Sequence, residues 1–129
     1  MSHQFDLKVY YEDTDMGGIV YYANYLKFIE RARSTWIVEL GEDQLALQAS
    51  GLVLAVRNIS VQYLVPAPMG DNLLVFSSVI TSTAARWVLE QTVKRDGIVL
   101  FTAEVTIVAI GLGGYPRRLP TELRRILPL

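Results

Sequence analysis

The residues best suited to chemistry are concentrated between positions 10 and 25. This segment contains three carboxylates and five of the seven tyrosines of the chain. Asp15 is followed by the pair Gly17-Gly18 and lies shortly before a helix that is predicted to begin at Asn24. The N-terminus of a helix offers unpaired backbone N–H groups and a positive potential. A carboxylate beside it could attack a carbonyl group held there, or activate water toward that group.

The same segment has a simpler interpretation. Acidic residues that precede a helix are commonly solvated and compensate the helix dipole, with no catalytic role. Residue types alone do not separate these two interpretations of Asp15.

Composition narrows the chemistry available to the chain. It has 129 residues, of which 51% are hydrophobic, and a formal net charge of −1. These values predict one globular domain over residues 1–129 and provide no basic surface for nucleic acid. With no Cys and a single His, His3, thiol catalysis and Cys-based metal sites are excluded. A catalytic triad or a multi-His metal site would depend on His3 alone, so we expect no metal.

The sequence also lacks the features of membrane insertion and export. No apolar run approaches the roughly 18 residues that a membrane span needs. The first residues, MSHQFD, have neither the charged start nor the apolar stretch of a signal peptide. We therefore expect a cytoplasmic protein.

Apolar spacing predicts one long helix over residues 24–40, with Asn24 as its N-cap and Gly41 as its stop. Shorter helices are predicted over residues 43–49 and from Thr121. The apolar residues that recur at intervals of three and four, together with two that widen the stripe, are Tyr25, Ile29, Ala32, Trp36, Leu40, Leu26 and Phe28.

The rest of the chain is strand-like. A first strand is predicted over residues 5–11, and four long ones over residues 52–65, 73–81, 86–94 and 99–110. Four long antiparallel strands with one apolar face need a cover, and the long helix is the element available. The predicted class is α+β, with a curved five-stranded antiparallel sheet around a central helix.

The last two long strands form a predicted hairpin whose register can be argued. A three-residue loop at residues 96–98 would place Val93, Leu89 and Trp87 opposite Phe101, Val105 and Ile107. A two-residue loop would place charged residues opposite that apolar row. We favour the three-residue loop, although a bulge would serve equally well.

One segment gives a specific resemblance. Residues 11–25, YEDTDMGGIVYYANY, resemble the signature of the hotdog-fold acyl-CoA thioesterases, in the YbgC-type branch of the 4-hydroxybenzoyl-CoA thioesterase-like family. Residues 26–33, LKFIERAR, and 116–120, PRRLP, are similar to that branch as well. The resemblance covers essentially the whole chain and implies a hotdog fold and hydrolysis of acyl-CoA to a free acid and CoA.

The resemblance also implies roles for two residues. Asp15 matches the catalytic carboxylate of the family, acting as nucleophile or as general base. The backbone N–H of Tyr22 matches the group that polarises the thioester carbonyl. The YbgC branch commonly has His at this position, whereas the hydroxybenzoyl-CoA branch can have Tyr.

Further residues match the substrate-binding part of the signature. Gly17 and Gly18 permit close approach of the backbone to the substrate. Asn24 and Tyr25 match the Asn-Tyr pair, which we interpret first as helix capping and packing.

Arginines supply the candidate contacts to CoA phosphates. Arg57 falls on the apolar phase of its predicted strand, where a phosphate or a buried acid would explain a charge, although an arginine that reaches solvent is the simpler alternative. Arg86 is a second candidate, as are Arg117 and Arg118. Each of these could equally be a solvated surface residue.

The resemblance implies no cofactor, acyl-CoA or an acyl carrier protein as substrate, and a homodimer or homotetramer. Two exposed sheet edges favour pairing of copies. A hotdog hydratase is disfavoured, because its site would need a His other than His3. The alternative from another class is a non-catalytic acyl-thioester binder or an interaction protein associated with the Tol-Pal envelope system.

Overall fold

The computed structural model describes residues 2–126 and consists of one antiparallel sheet and three helices in that range. The strands are β1 (Ser2–Lys8), β2 (Val53–Tyr63), β3 (Asn72–Ser82), β4 (Trp87–Arg95), β5 (Ile98–Ile110) and β6 (Pro116–Arg117). The helices are α1 (Asn24–Glu39), α2 (Gln44–Ala49) and α3 (Thr121–Arg124). Strand order is β1-β3-β4-β5-β2, with the short β6 added beside β5. The predicted α+β hotdog fold is confirmed, with β6 as a strand that we did not predict.

Helix α1 covers the apolar face of the sheet and contacts β1, β3 and β4. Its buried side is formed by Tyr25, Phe28, Ile29, Ala32, Arg33, Trp36 and Ile37. Leu26, predicted to widen the apolar stripe, is 39% exposed. It lies about 100° around the helix from Tyr25, which is outside the buried stripe.

The ends of α1 differ in how well they were predicted. Gly41 follows the helix with a φ of +98°, so its role as a stop is confirmed. The N-cap position is occupied by Ala23, and Asn24 is the first residue of the helix, so the predicted N-cap is wrong. The side-chain amide of Asn24 donates instead to the carbonyl of Asp13, eleven residues earlier.

The β4–β5 hairpin keeps the predicted partners with a different turn. Asp96 and Gly97 form a two-residue loop in which both φ angles are positive. A bulge between Val93 and Lys94 then shifts the register of the pairing, so that Val93 lies opposite Phe101 as predicted. The favoured three-residue loop is therefore wrong, and the bulge that we considered beside it is what occurs.

Strand β2 contains a second irregularity, which changes the position of Arg57. A bulge between Val56 and Asn58 leaves Arg57 without a partner on β5. The residues of β2 that face buried residues of β5 are Leu54 and Val56 before the bulge and Ile59, Val61 and Tyr63 after it. The prediction that Arg57 lies on one continuous apolar phase of its strand is therefore wrong. Because Arg57 is exposed, no buried acid is needed to explain its charge.

The first strand begins and ends earlier than predicted. β1 spans Ser2–Lys8, and Tyr11 already belongs to a short 3₁₀ turn, Tyr11–Asp13. Helix α3 begins at Thr121 as predicted. Within residues 2–126, no helix has the length and apolarity needed to cross a membrane.

Candidate active site

Asp15 lies at the start of a tight turn. Its backbone N–H donates to the carbonyl of Ile19 at 3.0 Å, and its own carbonyl accepts from the N–H of Gly18 at 3.0 Å. Gly18 has a φ of +77°, which favours glycine because it lacks a β-carbon. The turn exposes the Asp15 side chain to solvent.

This turn is fixed on the segment between β2 and β3. Val20 donates its N–H to the carbonyl of Ala67 at 2.8 Å, and Met69 donates to the carbonyl of Gly18 at 3.3 Å. Ile19 also forms an isolated bridge with Pro68. The loop is therefore held by backbone bonds on both sides, which limits the positions open to Asp15.

The two aspartates of the Asp-Thr-Asp sequence have different environments. Asp13 is 8% exposed, and its Oδ2 accepts from the N–H of Tyr10 at 2.9 Å. Its carbonyl accepts from the N–H of Tyr21 at 2.9 Å and from the side chain of Asn24 at 3.0 Å. Asp13 thereby ties the loop to the beginning of α1.

Asp15 has an exposed carboxylate with one local bond. Its Oδ1 accepts from the N–H of Gly17 at 2.8 Å, and no residue among 2–126 donates to its Oδ2. A β-carbon on residue 17 would lie 3.1 Å from that Oδ1. The close approach at Gly17 is therefore to the Asp15 carboxylate, which remains open to solvent on its other oxygen.

The turn before α1 presents an available donor. The carbonyl of Tyr21 accepts from the N–H of Asn24 at 2.8 Å. Because a trans peptide directs its N–H opposite to its carbonyl, the N–H of Tyr22 points away from this bond. In the part of the chain that the structure describes, no group accepts from that N–H. The beginning of α1 can thus donate to a bound oxygen.

Tyr21 lies beside Tyr22 in the turn before α1. Its pKa is raised above the ordinary value, chiefly by the neighbouring Tyr22 and with a smaller contribution from the charge of Asp15. The ring centroids of Tyr21 and Tyr22 are 4.9 Å apart.

An apolar pocket of about 350 Å³ adjoins this turn. Tyr25 is buried, and its ring stacks on Phe101 with centroids 4.8 Å apart. Tyr63, which we did not single out for function, packs edge-on against both rings. The pocket is lined by Ile19, Val20, Tyr22, Tyr25, Tyr63, Leu64, Val65 and Pro66.

The predicted arginines are not at this pocket. Arg57, Arg117 and Arg118 line a separate cleft of about 630 Å³ at the other end of β2. Arg57 and Tyr63 are six positions apart along β2, or about 20 Å at a rise of about 3.3 Å per residue. Arg86 is exposed at the β3–β4 turn and does not line the cleft.

The sequence is similar to those of known proteins. Residues 9–127 match the Thioesterase-like superfamily. The chain is 36% identical over 122 residues to the acyl-CoA thioesterase YbgC of Haemophilus influenzae, covering 93% of this chain and 90% of that protein. It is 36% identical over 119 residues to the acyl-CoA thioester hydrolase YbgC of Escherichia coli, covering 91% and 89% of the two chains.

Structural comparison agrees. A probable thioesterase from Bartonella henselae superposes with a TM-score of 0.86 at 36% identity, covering 93% of this chain and all of that one. A 1,4-dihydroxy-2-naphthoyl-CoA thioesterase from Synechocystis has the same fold, with a TM-score of 0.88 at 23% identity over 95% and 92% of the chains. The resemblance that we drew from residues 11–33 and 116–120 is confirmed. This chain belongs to the thioesterase-like superfamily.

Proposed function

We propose that this protein hydrolyses acyl-CoA thioesters to a free acid and CoA. The observation that carries the proposal is the free N–H of Tyr22 in the turn to which the loop of Asp15 is bonded. The N–H would donate a hydrogen bond to the thioester oxygen and stabilise the negative charge that develops there, and Asp15 would supply the carboxylate. Relatives that share 36% identity over most of the chain are named as acyl-CoA thioesterases.

The reaction has a simple balance. The carbon–sulfur bond breaks, the acyl carbon gains an oxygen that completes the free acid, the CoA sulfur gains a proton, and one water is consumed. Asp15 either attacks the acyl carbon and is then released by water, or removes the proton from the attacking water. Solvent ¹⁸O in a single turnover identifies a covalent route in which water attacks the anhydride at the side-chain carbon of Asp15. The label then enters Asp15 and the acid carries an unlabelled oxygen, whereas the general-base route puts the label in the acid alone.

The two clefts suit the two ends of the substrate. The apolar pocket beside Tyr22 would hold the acyl group. The cleft lined by Arg57, Arg117 and Arg118 would hold the CoA phosphates, because guanidinium groups bind phosphate in a bidentate manner. Arg86 lies outside that cleft, so its contact with a phosphate stays a prediction. The roles of Gly17, Gly18, Asn24 and Tyr25 toward substrate also stay predictions.

Pairing of two copies would bring these clefts together. β2 is an edge strand with half-exposed apolar side chains at Val56, Ile59 and Tyr63. Edge strands related by a two-fold axis pair antiparallel, so the Arg57 end of one copy would face the Tyr63 end of the other. We therefore propose a homodimer, in which phosphates and acyl group of one substrate contact different copies.

A substrate panel tests the activity. Thioesters of CoA with short, long and aromatic acyl groups are incubated with the protein, and released thiol is measured with a colour reagent; the chain has no Cys to react with it. We expect saturable release that is lost in Asp15→Asn and retained in the neighbouring control Glu12→Gln. Binding of a thioester without release would instead favour the non-catalytic interpretation.

The dimer is tested by light scattering together with activity. Ile59→Lys places a charge on the exposed edge of β2 and should yield an inactive monomer, whereas Gln62→Lys, on the other face of the same strand, serves as the control. A wild-type monomer with full activity would contradict the shared site.

A further inference from the structure

Tyr63 is bonded to the turn that carries the proposed thioester donor. Its hydroxyl donates to the carbonyl of Tyr22 at 3.0 Å, across 41 residues of sequence. Tyr63 is the last residue of β2, whereas Tyr22 lies two residues before α1. The bond therefore links the end of the sheet edge to the beginning of the central helix.

Together with a second hydrogen bond, this bond holds the backbone on both sides of Tyr22. On the N-terminal side of Tyr22, the carbonyl of Tyr21 is held by the N–H of Asn24. On the C-terminal side, no backbone N–H among residues 2–126 donates to the Tyr22 carbonyl, so the hydroxyl of Tyr63 is what holds it there. With the peptide planes on both sides of Tyr22 held, the direction of its N–H is fixed.

The hydroxyl is itself well placed to hold this carbonyl. The ring of Tyr63 packs edge-on against Phe101 at 5.2 Å and against Tyr25 at 5.8 Å. Partial burial raises the pKa of Tyr63, with a smaller contribution from Tyr22, so the phenol stays protonated and able to donate. A donor on a packed ring loses little conformational freedom when it forms the bond.

We propose that Tyr63 is a positioning residue that aims the N–H of Tyr22 at the substrate carbonyl. The inference rests on the proposed function, because it needs that N–H to act on a thioester. The hydroxyl contacts backbone rather than substrate. Its effect should consequently appear in the rate of reaction and not in the recognition of a particular acyl group.

The test removes the hydroxyl and keeps the ring. For Tyr63→Phe we expect kcat to fall roughly two- to tenfold, which corresponds to the loss of one neutral hydrogen bond. KM should stay within about twofold, and the relative loss should be the same for every active acyl group in the panel. The matched control is Tyr115→Phe, which removes a hydroxyl that is exposed and bonded to no described residue.

A second measurement is independent of activity. The backbone N–H of Asn24 donates to the carbonyl of Tyr21, so its hydrogen exchange reports on the turn that Tyr63 holds. Its exchange should be faster in Tyr63→Phe than in wild type or Tyr115→Phe. Unchanged exchange, unchanged kcat, or a loss confined to KM or to one acyl group would overturn the inference. Failure of the proposed function is distinct, because Asp15→Asn would then match wild type in thiol release.

Discussion

A β-carbon on residue 17 would lie 3.1 Å from Oδ1 of Asp15. The same oxygen accepts from the N–H of Gly17 at 2.8 Å, so the backbone at this glycine both holds the carboxylate and leaves room for it. This close approach explains why residue 17 is a glycine although its φ does not require one.

Gly17→Ala should therefore reduce activity with little change in folding. The added methyl group crowds the carboxylate and would turn Asp15 away from its bond with the backbone. We expect kcat to fall by about tenfold, because small displacements of a catalytic group are costly. Steady-state kinetics on the best thioester of the panel measure this. A variant with wild-type kcat would show that the bond to Gly17 does not set the orientation of Asp15.

Asp13→Ala should act on stability. The substitution leaves the partly buried N–H of Tyr10 without its acceptor, and we expect a cost of about 1 kcal/mol. Urea unfolding followed by circular dichroism gives the free energy, with the exposed neighbour Glu12→Ala as the control. Equal stability of the two variants would contradict a structural role for Asp13.

Substitutions of the buried Arg33 and of Gln91 should have non-additive effects on the free energy of unfolding. Its Nη1 donates to Oε1 of Gln91 at 3.0 Å, and Nε2 of Gln91 donates to the carbonyl of Ile29 and to Ser77. Desolvation lowers the pKa of Arg33 below its ordinary value. Gln91→Leu should thus cost more in wild type than in Arg33→Met, since only the former leaves a buried guanidinium without its acceptor. A double-mutant cycle that sums to zero coupling would refute this.

Tyr25 predicts a loss of stability in alkali. Burial raises its pKa above the ordinary value of about 10 for tyrosine. The unfolded chain ionises first as pH rises, so stability that is full below about pH 10 is lost as pH rises through the raised pKa. The free energy of unfolding should fall less steeply above pH 10 in Tyr25→Phe than in wild type. Parallel curves would mean that Tyr25 ionises equally in both states.

The predictions that rested on the spacing of apolar residues were the most accurate. The stripe of Tyr25, Ile29 and Trp36 has the period of a helix that packs on a sheet, and the structure has that helix. The phase of β2 was not predictable, because a bulge at Arg57 shifts the alternation and leaves no signal in residue type. The alternating pattern before and after the bulge appears continuous in the sequence.

The site was predictable in part for a related reason. The motif assigns the catalytic match to Asp15, but it does not show that Asp13 is buried and bonded to Tyr10 and Asn24. The contact between Tyr63 and Tyr22 joins residues 41 apart. It depends on how the end of β2 meets the beginning of α1, which no local pattern reports.

The most direct measurement is kcat of Asp15→Asn on the best thioester, beside Glu12→Gln and with the unfolding midpoint of each protein. The account predicts that Asp15→Asn loses about 10²–10⁴-fold in kcat while its midpoint and that of Glu12→Gln match wild type. A kcat for Asp15→Asn within threefold of wild type would contradict the central role of this carboxylate.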